Sequence, residues 1–313
     1  MNKRILAFLT FIPLVLTACD RKFEYQVTSD FTYEDSNVNI VDNIATVEGK
    51  KAHVVLLFGQ SNADGVSYNE CLERTFPEVY TQYASGFDDV LINFYNDGGN
   101  NSSGYAFTKC ALGCGCSPVT FGPEMGIAES LHYAYQGKDT QSFIIKWTWG
   151  GTTLHDQWLN GKHERGDLYN SAMDFALKCL RLIKSKGYSV SEYDVCWMQG
   201  ENDACKFSNW ETYYTDTVAF VSLLRHDLAS YSDRIAFIDA EINEEGMWPH
   251  AKAINKAKRK FGGESTLNSS VETNDMKLTS LHEPEENPDI AHYDSLSMVA
   301  LGRKFGERTL SVK

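Results

Sequence analysis

The run His53-Val54-Val55-Leu56-Leu57-Phe58 constrains the fold more than any other stretch of this chain. It is continuously apolar after its first residue and begins with two β-branched valines, the signature of a strand covered on both faces. Such a strand belongs in a parallel sheet with helices above and below it. Gly59-Gln60-Ser61-Asn62-Ala63-Asp64-Gly65 follows, a small polar segment bracketed by glycines. Glycines in those places let a chain leave a strand sharply and start a helix. A serine at that turn stands at the carboxyl end of the sheet beside a helix N-terminus. The N–H groups there favour negative charge, and acyl transfer creates negative charge on the former carbonyl oxygen. An ordinary strand-to-helix connection that happens to carry serine and asparagine is the plainer reading of the same residues.

The chain beyond it repeats the same grammar. Ser142 to Trp147, Tyr193 to Met198, Ile235 to Asp239 and about 268–272 read as strands. Pro123 to Leu131, Asp167 to Lys186, about 207–230, about 250–261 and Asp294 to Leu310 have helical spacing. Strand alternating with helix predicts an α/β domain over 53–313 with a parallel sheet covered on both faces. Ligands of such sheets bind outside the carboxyl ends of the strands. Three strands end in glycine-plus-polar segments, at Ser61, at Gly150-Gly151 and at Gln199-Gly200-Glu201, and their convergence at one edge would assemble a site. Residues 66–120 are rich in Gly, Asn, Ser, Tyr and Cys with weak periodicity. They are expected to form an insertion that shapes a cleft.

The first residues are read as targeting, not fold. Lys3 and Arg4 precede the short apolar run Ile5 to Leu16, and the segment closes with Leu16-Thr17-Ala18-Cys19. That ending resembles a bacterial lipobox, which implies a signal peptide over 1–18 and a lipidated Cys19. A plain cleaved signal peptide is the main alternative, since the run is short for a membrane span. The expectation is an exported protein, anchored to a bacterial membrane through acyl chains on Cys19. Residues 19–52 then serve as tether and lead-in. An exported location permits disulfides, and Cys71, Cys110, Cys114 and Cys116 are expected to staple the insertion. No histidine sits near them with ligand spacing, so no metal is expected. A formal net charge of −13 argues against a nucleic-acid partner.

A serine nucleophile needs a base to take its proton and a third group to orient that base. Of the eight histidines, His292 lies in an Asp-x-x-His pattern, Asp289-Ile290-Ala291-His292, just before the final helix. That spacing lets the carboxylate fold back onto one imidazole nitrogen. Trp147, Trp149, Trp158 and Tyr293 lie near these strand ends and loops, as does His155, placed either to contact a ligand or to pack at a sheet end.

Gly59-Gln60-Ser61-Asn62, Phe121-Gly122-Pro123-Glu124, Trp149-Gly150-Gly151-Thr152, Trp197-Met198-Gln199-Gly200-Glu201-Asn202-Asp203 and Asp289-Ile290-Ala291-His292-Tyr293 occur in that order. Together they resemble the blocks of the SGNH-type hydrolases, in particular the carbohydrate-esterase branch of sialate O-acetylesterase-like proteins and acetyl xylan esterases. The resemblance implies a three-layer α/β/α sandwich with a central parallel sheet, a flavodoxin-like fold. It implies a carbohydrate O-acetylesterase acting on an acetylated glycan without a cofactor. Ser61 would be the nucleophile, His292 the general base and Asp289 the orienting acid, with Glu201 as the competing acid. The Ser61 N–H, a backbone N–H at Gly150 or Gly151 and the Gln199 side chain would form the oxyanion hole. A broader small-ester hydrolase, or a glycan-binding lipoprotein that keeps the fold without the chemistry, remains the alternative.

Overall fold

The computed structural model describes residues 22–206 and 208–312, so the leader and Cys19 lie outside the described residues. Six parallel strands form its centre: β1 (Lys51–Gly59), β2 (Phe87–Asn96), β3 (Thr140–Thr148), β4 (Ser189–Met198), β5 (Ile235–Ala240) and β6 (Asn268–Val271). They lie in the order β6-β5-β4-β1-β3-β2. The apolar run that opens the domain is therefore an inner strand, with β4 on one side and β3 on the other.

Helices α1 (Glu124–Tyr135), α2 (Asp167–Ser185), α3 (Asn209–Asp227), α4 (Ala251–Gly262) and α5 (Ser295–Ser311) cover the sheet. On one face α1 and α5 pack against each other through glycines, and a Cβ on Gly126 would lie 2.3 Å from the Arg303 backbone nitrogen. On the other face α3 packs against α4, and Tyr169 of α2 meets Phe220 of α3 edge-on with ring centroids 5.8 Å apart. Neighbouring residues of β3 show both layers at once. Lys146 turns to Glu124 of α1 at 2.8 Å, while Trp147 turns to Trp158 at 5.5 Å on the α2–α3 side. This is the parallel sheet covered on both faces that the alternation of strand and helix predicts, and the three-layer α/β/α sandwich that the resemblance implies.

The stretch 66–120 departs from its sequence expectation. It contains the helices Asn69–Thr75 and Pro77–Ser85, and its centre is β2, a full member of the parallel sheet paired with β3. Polar residues hide the strand from hydropathy. Asn93 and Asn96 are fully buried, but their amides bind loops beyond the strand: Asn93 the Tyr105 carbonyl at 2.9 Å, Asn96 the Cys114 and Gly115 carbonyls at 2.9 and 2.7 Å. Only the part after β2 is loop-like, with the short strands Asn101–Ser102 and Thr108–Cys110 antiparallel to β2.

The expected disulfides are also corrected. Among the described residues, Cys71, Cys110, Cys114, Cys116, Cys179, Cys196 and Cys205 are free thiols. The loop is stapled instead by Lys146. This fully buried ammonium donates to the Cys114 carbonyl at 2.7 Å, the Asp64 carbonyl at 2.7 Å and Glu124 Oε2 at 2.8 Å. Three acceptors for three N–H donors satisfy a charge that would otherwise be costly to bury. Residues 22–50 form no helix or strand, yet Phe23, Tyr25, Phe31 and Val38 pack against the core, and Arg165 ties the segment down through the Ser29 carbonyl at 2.9 Å. No described helix is long and apolar enough to cross a membrane.

Candidate active site

Ser61 is placed by the way β1 ends. Gly59 has φ +145°, and a Cβ there would lie 2.0 Å from the Met198 carbonyl oxygen, so only glycine lets β1 and β4 approach at this point. Gln60 N–H donates to that same carbonyl at 3.0 Å, and Trp149 N–H donates to the Gly59 carbonyl at 3.0 Å. The ends of β1, β3 and β4 thus meet around the serine. Ser61 opens a one-turn helix, Ser61–Asp64, whose first N–H groups have no intrahelical acceptor.

His292 comes from the loop before α5. Its Nδ1 lies 2.6 Å from Asp289 Oδ2, and the other oxygen of Asp289 accepts the Ala291 N–H at 3.1 Å. The turn holds itself together over four residues. Asn62, the neighbour of Ser61, grips both flanks of His292: its side-chain oxygen accepts the Tyr293 N–H at 3.1 Å, and its nitrogen donates to the Ala291 carbonyl at 3.3 Å. The loops of Ser61 and His292 are thereby fastened residue against residue. With Nδ1 turned to Asp289, Nε2 is the nitrogen left for a serine proton.

Glu201 stands behind this clamp. Its Oε1 accepts from Asn62 Nδ2 at 2.7 Å, and its buried Oε2 has no partner. Burial raises the carboxyl above its usual range, against the Asn62 hydrogen bond and, more weakly, the neighbouring Lys258 and His292. The imidazole is hydrogen-bonded to Asp289, whereas Glu201 reaches the histidine loop through Asn62.

The glycine side of Ser61 is assembled differently. A Cβ on Gly150 would lie 3.7 Å from Ser61 Cβ, so this glycine flanks the serine directly. Its N–H donates to Asp97 Oδ1 at 3.3 Å. The carbonyl of Gly151 accepts from Asn202 Nδ2 at 2.6 Å. Gln199 is corrected from an oxyanion donor to a brace. It is fully buried, and its amide nitrogen gives its hydrogens to the Thr152 carbonyl at 2.9 Å and Asp203 Oδ2 at 2.5 Å. Its oxygen accepts from the Tyr213 hydroxyl at 3.1 Å. No hydrogen of that amide is left for a reacting oxygen.

Sequence reasoning missed Asp97, which sits in the stretch assigned to the insertion. The one available signal is Asn96-Asp97-Gly98-Gly99, a polar and glycine-rich strand end like the other three. Asp97 to Gly99 form a tight turn with φ of +46°, +70° and +91°. Of the aromatic candidates, Trp147, Trp158 and Tyr293 are buried, while Trp149 is 38% exposed at the site. His155 is turned to Asp216 at 3.0 Å. Beneath Ser61, burial pushes the Asp64 carboxyl up to about 6, against the pull of Lys146 and a hydrogen bond from Thr148.

Solved structures share this fold. A protein from Arabidopsis thaliana superimposes with TM-score 0.59 at 18% identity, covering 84% of this chain and 98% of its own. NanS gives 0.58 at 15% identity, covering 84% and 98%. A carbohydrate acetylesterase from Xanthomonas citri gives 0.53 at 13% identity, covering 83% of this chain and 56% of the larger protein. At these identities the likeness speaks for the fold. No curated protein sequence matches the chain. The family of carbohydrate esterases described as sialic acid-specific acetylesterases matches residues 51–311, and the chain belongs to that family and is a serine-type acetylesterase.

Proposed function

We propose that Ser61, His292 and Asp289 hydrolyse acetyl esters on a glycan by an acyl-enzyme mechanism. Ser61 Oγ attacks the acetyl carbonyl carbon while His292 Nε2 takes the hydroxyl proton, and Asp289 steadies the imidazolium that results. The oxyanion is met by the Ser61 N–H, and by the Gly150 N–H once that donor turns from Asp97 Oδ1 to the reacting oxygen, each such donor being worth about 3–4 kcal/mol in the transition state. As the sugar oxygen leaves it takes the proton back from His292, leaving acetyl on Ser61. Water, losing its proton to His292, then attacks that ester, and acetate departs as Ser61 regains its proton. The observation that carries this reading is the double grip of Asn62 on the loop holding the Asp289–His292 pair. We also propose that the enzyme is exported and works at a bacterial membrane surface through a lipid on Cys19, a reading supported by the lipobox-like Leu16-Thr17-Ala18-Cys19.

The test is acetate release from 4-nitrophenyl acetate and acetylated xylan by the wild type, Ser61→Ala and His292→Ala. Each variant is expected to lose at least about 10³-fold in kcat with its melting temperature unchanged. A folded wild type that turns over no acetyl ester would sink the assignment.

A further inference from the structure

From the turn that follows β2 we infer that Asp97 and Trp149 form the subsite for the acetylated sugar, and that this sugar carries no negative charge. The inference rests on the esterase reading and concerns which glycan the enzyme selects. Asp97 Oδ1 accepts the Gly150 N–H and lies 3.6 Å from the point where a Gly150 side chain would begin, while Ser61 Cβ lies 3.7 Å from the same point. A carboxylate therefore borders the glycine that flanks the nucleophile.

The turn is held firmly. The Tyr95 hydroxyl donates to the Gly98 carbonyl at 2.9 Å, and a Cβ on Gly98 would lie 3.1 Å from the Trp149 ring. Trp149 is the exposed aromatic residue of the site, and its ring borders the Asp97 turn. A carboxylate next to an exposed indole suits a neutral sugar, whose hydroxyls donate to the one and whose C–H face packs on the other.

The charge around Ser61 points the same way. Asp289 supplies a second partly exposed carboxylate, at 37% side-chain exposure. Cations at these strand ends are already engaged: Lys146 with Glu124, Lys258 with Asp239, Arg259 with Glu241 and Lys206 with Asp156. Two of them, Lys146 and Lys258, are fully buried. A sugar carboxylate near the ester would meet Asp97, and the one arginine among these groups, Arg259, is already held by Glu241.

The experiment compares kcat/KM for a methyl glucoside and a methyl glucuronoside acetylated at the same hydroxyl, with O-acetylated sialic acid as a third substrate. Wild type is expected to favour the glucoside about tenfold or more, the scale of one partly screened like-charge contact. Asp97→Asn keeps the shape and suits the positive φ, where asparagine is well tolerated. It is expected to bring the ratio to within about threefold, whereas Asp30→Asn, an equal change of net charge at an exposed site paired with His226, leaves the ratio alone. Equal turnover of both glycosides by wild type, preference for the sialic acid, or an unchanged ratio in Asp97→Asn overturns the inference while leaving the esterase intact. No acetate from any of the three removes the esterase reading and the inference with it.

Discussion

The two sides of Ser61 are built from different materials. On one side, Asp289 and His292 are three residues apart, bonded to each other, and clamped by a single asparagine adjacent to the serine. On the other, Gly150, Asp97 and Gln199 arrive from the ends of three strands and are placed by contacts with residues far away in sequence. The histidine side is a local motif that the sheet merely presents. The glycine side exists only once the sheet has formed, which is why one residue type there, Gln199, takes a different task from the one its position in the motif implies.

The largest test of this contrast separates the two acids. Asp289→Asn is expected to lower kcat by about 10²–10⁴-fold, through the wrong tautomer or a loosened imidazole. Glu201→Gln, which leaves an amide at the Asn62 contact, is expected to cost less than about tenfold by the same comparison. Steady-state kinetics on an acetyl ester decides it, and the reverse order would move the triad acid to Glu201.

A smaller effect is expected from the clamp. Asn62→Ala frees the loop at Ala291 and Tyr293 and should cost about 10–100-fold, chiefly in kcat, because misplacing a base by about an ångström has that scale. A rise in KM alone would mean that Asn62 touches the sugar and does not hold the histidine.

On the glycine side, Gln199→Leu leaves Asp203 and the Tyr213 hydroxyl short of buried partners and should destabilise the fold by about 1–3 kcal/mol. Thermal unfolding measures that. A loss of 10²-fold or so in kcat with no change in melting temperature would instead return Gln199 to the oxyanion hole.

The mildest test lies beneath the serine. Asp64 is pushed up to about 6 by burial, so the folded state holds its proton more tightly than the unfolded chain does. The stability it contributes is complete below the unfolded value of about 3.9 and is lost as pH rises through about 6. Asp64→Asn should flatten the melting temperature against pH between those limits. A slope unchanged in the variant would mean that other buried acids set it, such as Asp203 and Asp239, each also pushed up to about 6 by burial.

Much of this molecule was legible before folding. The strand at His53 to Phe58 announces itself because both of its faces are buried, leaving no polar alternation to confuse the pattern. The pair Asp289 and His292 was legible because four residues of chain suffice to close its hydrogen bond. β2 was not, since Asn93 and Asn96 look like loop residues until the carbonyls of Tyr105, Cys114 and Gly115 arrive to satisfy them. Nor were the free thiols of Cys71, Cys110, Cys114 and Cys116, whose loop region is fastened by Lys146 near the end of β3.

By itself, then, the sequence determined the α/β alternation, the sharp glycine exit that exposes Ser61, and the acid that accompanies its histidine, all features with a reach of one turn or one strand. Tertiary structure alone decided which strand ends meet, that Gln199 spends its amide inward, and that Asp97 holds the glycine beside the serine. The reason is one of range: short-range geometry is encoded in neighbouring residues, while the partner of a buried polar group is whichever distant segment the packed sheet brings within hydrogen-bonding distance.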